Sequence, residues 1–252
     1  MSNSQITEKS SVQQSYLWLP FGMERILDVG CAWGYDAVYL AKKSREYYGI
    51  DINPNSIAKA KRLHPHLNFQ QASAEKIPFP NSFFDAVVMS EVLEHVKNEI
   101  STLREVDRVL KHGGLFVLGT PHRGAFSFLD PANQKFYLKR YFPWLFNLFL
   151  AMKLKSNPNY NEIIAQGIHR HYSISDIKTL LGKSGWTNYS IEKIYRFGLL
   201  MGLVMMNIRA VLKIIIGTKA TMILLRPLIY IAQFEINFGP LSDQMALLIR
   251  KL

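Results

Sequence analysis

Cysteine is nearly absent. Cys31 is the only one in 252 residues, so no intramolecular disulfide can form, and no Cys/His group has the spacing of a zinc site. That scarcity fits a reducing compartment, and a cytoplasmic setting is the expectation. Long apolar runs are lacking too. The longest uncharged run between 197 and 234, Phe197–Ile208, has 12 residues, short of the roughly 18 that a spanning helix needs. No membrane span is therefore expected. Residues 1–15 are polar and hold no apolar stretch of a secretion signal. They are expected to be mobile, and their sequence leaves open whether Tyr16, Leu17, Trp18 and Leu19 pack on a domain. Acidic residues are scarce only in the second half. Residues 1–121 hold 13 Lys/Arg and 13 Asp/Glu, whereas residues 122–252 hold 17 against 6, which accounts for the whole net charge of +11. A surface so biased suits an anionic partner: phospholipid, nucleic acid or an acidic substrate. Its bland alternative is a solubilising face. No internal repeat is present.

What is present in the first half is an alternation of strand and helix. Arg25–Gly30 is an apolar run ending in glycine, which reads as a buried strand. Tyr35–Lys43 reads as a helix with Ala37, Val38, Leu40 and Ala41 on its apolar side. Tyr47–Asp51 is a second strand. Asn53 then caps a helix with Pro54 at its first position. Leu67–Gln71 and Phe84–Ser90 are further strands. Ile100, Leu103, Val106, Val109 and Leu110 form one face of a helix over Lys97–Lys111, which is expected to end at Gly113-Gly114. Leu115–Thr120 is a fifth strand. Later, Ser173–Ser184 reads as a helix, Trp186–Ile194 as a strand and Met245–Lys251 as a closing strand.

Strand–helix–strand repeats with short links predict an α/β fold: a doubly wound, mostly parallel, seven-stranded Rossmann-like sheet with a helical, apolar insertion before the last strand. The expected division is an extension over 1–20, a core over 21–121 and a substrate-side insertion or lid over 122–172. Residues 173–252 would complete the fold, with the insertion at about 197–238. Such sheets bind ligands at the carboxyl ends of their strands, where the strand order switches direction.

The segment ILDVGCAWGYD is the informative one. Gly30 and Gly34 bracket a turn that follows a buried strand and leads to a helix. Residues without side chains let such a backbone approach a ligand. Asp28, just before the turn, can accept hydrogen bonds from an amine-bearing ligand and would repel a pyrophosphate. Asp51 ends the next strand, where an acid can take both hydroxyls of a ribose. The dinucleotide fingerprint fails, because Ala32 and Tyr35 stand where its second and third glycines would be. The ligand should therefore have a ribose and no pyrophosphate, as S-adenosylmethionine does. As alternatives, the glycines could serve an ordinary turn and Asp51 could cap the following helix.

Residues 25–120 resemble a class I S-adenosylmethionine-dependent methyltransferase domain, of the small-molecule type that includes quinone-biosynthesis methyltransferases. The resemblance rests on LDVGCAWG at 27–34, GIDINP at 49–54, SAEKIPFPNSFFDAVVMSEVLEHV at 73–96 and LREVDRVLKHGGLFVLGTP at 103–121. It returns weakly at 169–186. It implies that Asp28, Gly30, Cys31, Ala32 and Gly34 cradle the methionine end of the cofactor. Asp51 would take the ribose hydroxyls and Ile52 would pack on the adenine. Ala74 and Glu75 would lie at the adenine edge, and Ser90 and Glu91 would border the methyl group and the acceptor. The family often has glycine in place of Ala32 and aspartate in place of Ser73, so a slightly wider turn is expected. Ser90 could equally be a satisfied strand end. Glu91 and Glu94 could merely offset a helix dipole.

Methyl transfer needs alignment and, for an oxygen or nitrogen acceptor, a base. The candidate bases are His95, His122, His169 and His171. The acceptor classes are a small or lipid-like molecule, with possible peripheral attachment to an anionic membrane, and nucleic acid. The basic, aromatic segment Phe136–Lys155 favours the first, and the apolar 197–234 reads either as a helical hairpin packed on the fold or as a segment lying in a bilayer surface. Two absences weigh against the second. SEVLEH stands where exocyclic-amine methylation usually shows a Pro-Pro-aromatic motif. The cysteine nucleophile of carbon-5 pyrimidine chemistry is also missing, because Cys31 sits inside the turn. A non-catalytic binding protein on the same fold is the third class. No metal is called for, and the oligomeric state is not legible.

Overall fold

The computed structural model describes residues 16–123, 139, 141–147, 170–197, 217, 224, 242 and 244–252. The chain divides into two compact units. The first comprises Met1–Thr120, Ile174–Tyr195 and Met245–Leu252, and the second Pro121–Ser173 and Arg196–Gln244.

The elements in chain order are β1 (Met23–Val29), α1 (Ala37–Ala41), β2 (Ser44–Asp51), α2 (Pro54–Leu63), β3 (Asn68–Gln71), β4 (Phe84–Ser90), α3 (Glu99–Val109), β5 (Leu110–Pro121), α4 (Ile174–Ser184), β6 (Tyr189–Phe197) and β7 (Gln244–Lys251). The strands form one seven-stranded sheet in the order β3-β2-β1-β4-β5-β7-β6. The pairs β1–β2, β1–β4, β2–β3 and β4–β5 are all parallel. From β1 the chain winds outward to β3, then returns to β4 and winds the other way. The switch point therefore lies between the ends of β1 and β4, where such sheets open a crevice.

Burial explains these strands. Ile26, Leu27 and Val29 in β1, Ala86 to Met89 in β4 and Leu115 to Leu118 in β5 are all buried, as strands covered on both faces require. Asn53 caps α2 by accepting from the backbone N–H groups of Asn55 and Ser56, and Pro54 follows at the first helical position, as expected. Asn98 caps α3 in the same way through Ser101. Trp186 locks α4 against α3: its indole N–H donates to the Leu103 carbonyl at 2.9 Å, and its ring packs on Phe116 with centroids 5.7 Å apart.

Several element boundaries differ from the sequence reading, and three of them have a visible cause. Helix α3 stops at Val109 rather than at Gly113-Gly114, because Leu110 is already extended and pairs with Phe84. Strand β2 starts at Ser44, where Arg25 pairs with Glu46 across the ladder and their side chains meet at 2.8 Å. Strand β6 starts at Tyr189, because Gly185 in a left-handed conformation and the Trp186 N–H bonded to the Leu181 carbonyl terminate α4. Val38, expected on the apolar side of α1, is exposed; Ala37 and Leu40 supply its buried face. Phe136–Lys155, apart from 139 and 141–147, and the apolar 197–234, apart from 197, 217 and 224, lie outside the described residues. No helix among the described residues is long and apolar enough to cross a membrane.

Candidate functional site

The turn after β1 is built by backbone hydrogen bonds to the neighbouring strand. The N–H groups of Gly30 and Cys31 both donate to the Ile50 carbonyl, at 2.8 and 3.0 Å, and Gly34 N–H closes the turn onto Cys31 at 2.8 Å. Gly30 has φ +76°, and a Cβ there would meet Val92 Cγ2 at 2.2 Å, so glycine is required twice over. Ala32, standing where the family often has glycine, also sits in the left-handed region, with φ +46°. That is the physical reason for the family's preference, since an L side chain pays about 1–2 kcal/mol there. Cys31 is buried, and burial, followed by the charges of Asp28 and Asp51, pushes its thiol well above the ordinary value. It fills space beneath the turn and is no nucleophile.

Asp51, at the end of β2, is held from both sides. Its Oδ2 accepts from Ala32 N–H at 3.0 Å and its Oδ1 from Asn53 N–H at 2.8 Å. Each oxygen has a second lone pair, so the oriented carboxylate can accept two hydroxyl donors. Beside it the apolar side chain of Ile52 is 70% exposed, an uncovered platform for a flat base. This acceptor and this platform fit the nucleoside half of S-adenosylmethionine. Ala74 and Glu75 are partly exposed. The Glu75 carboxylate oxygen Oε1 accepts from the N–H groups of Lys97 and Asn98 at 2.9 and 3.2 Å, which ties the loop after β3 to the entry of α3. Ser73 supports it by accepting from Glu75 N–H at 3.2 Å.

At the switch point the structure gathers residues that sequence reading did not combine. Asp28 is buried, and its Oδ2 accepts from the Tyr47 hydroxyl at 2.8 Å. Burial first, then the charge of Asp36, raises its pKa to about 7; the Tyr47 hydrogen bond opposes the shift and Asp51 adds to it. Tyr16 donates its hydroxyl to Asp36 Oδ2 at 2.9 Å. Burial, then Asp36 and Asp28, raise the Tyr16 phenol well above its ordinary value, while a hydrogen bond from Ser90 lowers it. Among the described residues, no cation is a cause of the shifts of Asp28, Tyr16 or Cys31. This negative concavity suits the ammonium end of an amino acid. Glu91, the next residue, has φ +54°, a conformation that costs a non-glycine residue about 1–3 kcal/mol and clusters at functional sites. Tyr47 could have been found from alternation, since it shares a strand face with Gly49 and Asp51. Asp36 could have been found as the residue before α1. Tyr16 had no sequence signal.

The candidate bases fall in different places. His95 is exposed in the first unit, with Nε2 3.8 Å from Oε1 of the buried Glu94, which also receives the Thr120 hydroxyl at 3.4 Å. His122 is buried in the second unit. Its Nδ1 lies 3.1 Å from the Ser242 carbonyl, an acceptor, so Nδ1 carries the proton and Nε2 keeps a lone pair. Burial lowers its pKa, the Ser242 bond raises it, and Arg196 and His171 lower it further. His171 belongs to the same unit. His169 lies outside the described residues.

Residues 27–118 match the family described as Methyltransferase domain. A probable S-adenosylmethionine-dependent methyltransferase of Mycolicibacterium smegmatis is 31% identical over 102 residues, 40% of each chain. A demethylmenaquinone methyltransferase of Beutenbergia cavernae is 30% identical over 166 residues, 65% of each chain. The chain thus spans less than two thirds of the length of either relative. In fold, it is similar to the crystal structure of an S-adenosylmethionine-dependent methyltransferase from Mesorhizobium loti, with TM-score 0.57, 17% identity and coverage of 94% of this chain and 95% of that one.

Proposed function

We infer, from the premise that residues 27–118 are an S-adenosylmethionine-dependent methyltransferase domain, that this chain transfers the cofactor's methyl group to a small-molecule acceptor. One observation carries the reading: the Asp51 carboxylate, oriented by two backbone N–H groups beside a glycine turn and an exposed Ile52. When bound, S-adenosylmethionine supplies a sulfonium that makes its methyl carbon electrophilic. The chain's own task is therefore positional. Asp51 fixes the ribose, Gly30, Ala32 and Gly34 let the backbone approach, and Asp28 offers a negative partner to the ammonium. Ser90 and Glu91 border the acceptor. Holding nucleophile and methyl in line is worth about 7–11 kcal/mol, and removing the acceptor's proton a further 10²–10⁴-fold or so.

Among the candidate bases, His122 has the suitable state: neutral, with its proton fixed on Nδ1 and Nε2 able to accept. His95, His169 and His171 remain in the test. Single alanine variants of all four that keep parental turnover would remove histidine from the mechanism.

The acceptor we favour is lipid-like, such as a quinone, delivered at an anionic membrane surface. The quinone-pathway relative supports this, as does the second unit, where Tyr141, Phe142 and the 69% exposed Trp144 share one short stretch. Exposed aromatics beside Lys and Arg are typical of a membrane interface. Calorimetry with S-adenosylhomocysteine tests the cofactor. Asp51→Ala loses two hydrogen bonds to a charged group, about 1.5–3 kcal/mol each, so its affinity should fall by more than about a hundredfold. A parent that does not bind, or a variant that binds equally well, refutes the reading. Labelled methyl recovered in the lipid fraction of a lysate, with flotation on anionic liposomes, supports the acceptor. Label in RNA refutes it.

A further inference from the structure

Tyr16 precedes the sheet, lies outside every matched motif, and yet is 2% exposed with its hydroxyl at the switch point. Its segment does not need that hydroxyl as an anchor. Leu19 is itself buried, and the Leu19 carbonyl accepts from the buried Lys43 Nζ at 2.6 Å. The hydroxyl instead makes a directed bond at the site: Tyr16 donates to Asp36 Oδ2 at 2.9 Å. A phenol has one proton to give, and giving it to Asp36 fixes which way that carboxylate points. A parallel arrangement holds the second acid, where Tyr47 donates to Asp28. The charge of Asp36 helps to raise the pKa of Asp28, and each of the two carboxylates accepts from one buried tyrosine.

Resting on the cofactor reading above, we propose that Tyr16 is a positioning residue for the amino-acid end of the cofactor, and that Asp36, oriented by it, joins Asp28 in receiving the cofactor's ammonium. The nucleoside end is served separately, by Asp51 and Ile52. The cofactor should therefore be gripped by two independent halves, only one of which depends on Tyr16.

The test compares two probes by calorimetry: S-adenosylhomocysteine, which carries the amino acid, and methylthioadenosine, which lacks it. Tyr16→Phe keeps the ring and removes the hydroxyl. It should weaken S-adenosylhomocysteine about tenfold, the loss of about one hydrogen bond, and leave methylthioadenosine and the melting temperature unchanged. Asp36→Asn should do the same, and the double variant should be no weaker than the worse single one, as residues acting through one another require. Equal weakening of both probes, additive effects of the two substitutions, or no effect on either probe overturns the proposal. If Tyr16→Phe fails to fold, Asp36→Asn, which changes the acceptor of the same bond, is read alone against the same two-probe outcomes. Asp51→Ala separates this inference from the reading beneath it. Loss of both probes in that variant, with parental binding in Tyr16→Phe, refutes the role of Tyr16 alone, whereas a parent that binds neither probe refutes the site.

Discussion

Replacing Asp28 by asparagine should stabilise the protein above neutral pH and do so by an amount that depends on pH. Asp28 is buried, and desolvation together with the neighbouring Asp36 raises its pKa from 3.8 to about 7, against the opposing hydrogen bond from Tyr47. The unfolded chain loses this proton near the ordinary value and the folded chain holds it until neutrality. Between those values the folded state binds more protons, so stability falls as pH rises, and above the folded pKa the cost is complete. Each pKa unit is worth about 1.36 kcal/mol, which gives a ceiling of about 4 kcal/mol for the fully ionised group. Asparagine has no charge to desolvate, and its carbonyl oxygen can still accept from the Tyr47 hydroxyl. The stability gap between Asp28→Asn and the parent should therefore widen by about 2–3 kcal/mol from pH 5 to pH 8, or about 5–10 °C in melting temperature for a unit of this size. Melts followed by far-ultraviolet circular dichroism at the two pH values measure it. A gap that stays constant with pH, or that narrows, refutes the idea that the protein carries a buried carboxylate at a cost to its stability. A residue retained at such a cost is expected at a binding site, where its charge is used.

Sequence and structure agree most closely where a local rule suffices. Strand β4 and the Asn53-Pro54 start of α2 follow from apolar runs and capping chemistry that act within a few residues. The glycine turn and Asp51 were legible because a tight turn and a strand-end acid have few alternatives in a doubly wound sheet. Boundaries that depend on partners were not. Whether Leu110 continues a helix or opens a strand is decided by Phe84, which is distant in sequence and adjacent in the ladder. The same limit hid half of the site. Asp36 and Tyr47 sit inside segments already recognised, but their roles arise only when Tyr16 and Asp28 are brought against them. Tyr16 is the clearest case, since a lone tyrosine after a polar stretch carries no periodic or motif signal. The electrostatics were hidden for a related reason. An acid at a strand end is visible in sequence, whereas its pKa depends on burial and on a second carboxylate that only the fold supplies.

S-adenosylhomocysteine affinity should rise with pH from about 5.5 and level off near 7, by up to tenfold per unit, because an ammonium binds ionised Asp28 and must displace its proton below that pH. Calorimetry in two buffers of different ionisation enthalpy should show proton release on binding at pH 6; a flat affinity profile refutes the pairing. The last prediction separates backbone strain from steric exclusion at the turn. Gly30 and Gly113 share φ +76°, but a Cβ at Gly30 would meet Val92 Cγ2 at 2.2 Å, whereas at Gly113 nothing lies within 4 Å. Gly113→Ala should therefore cost the conformational penalty alone, about 1–2 kcal/mol. Gly30→Ala should cost the same penalty and an overlap with a β-branched neighbour that has little rotamer freedom to yield, about 2–4 kcal/mol in total. Only Gly30→Ala should also lose S-adenosylhomocysteine binding, because only that glycine lies in the turn against which the ligand packs. Equal destabilisation by the two substitutions in urea unfolding would mean that Val92 gives way at no cost. Parental affinity in Gly30→Ala would mean that the ligand does not approach the turn, and the assignment of the turn to the cofactor would fall with it.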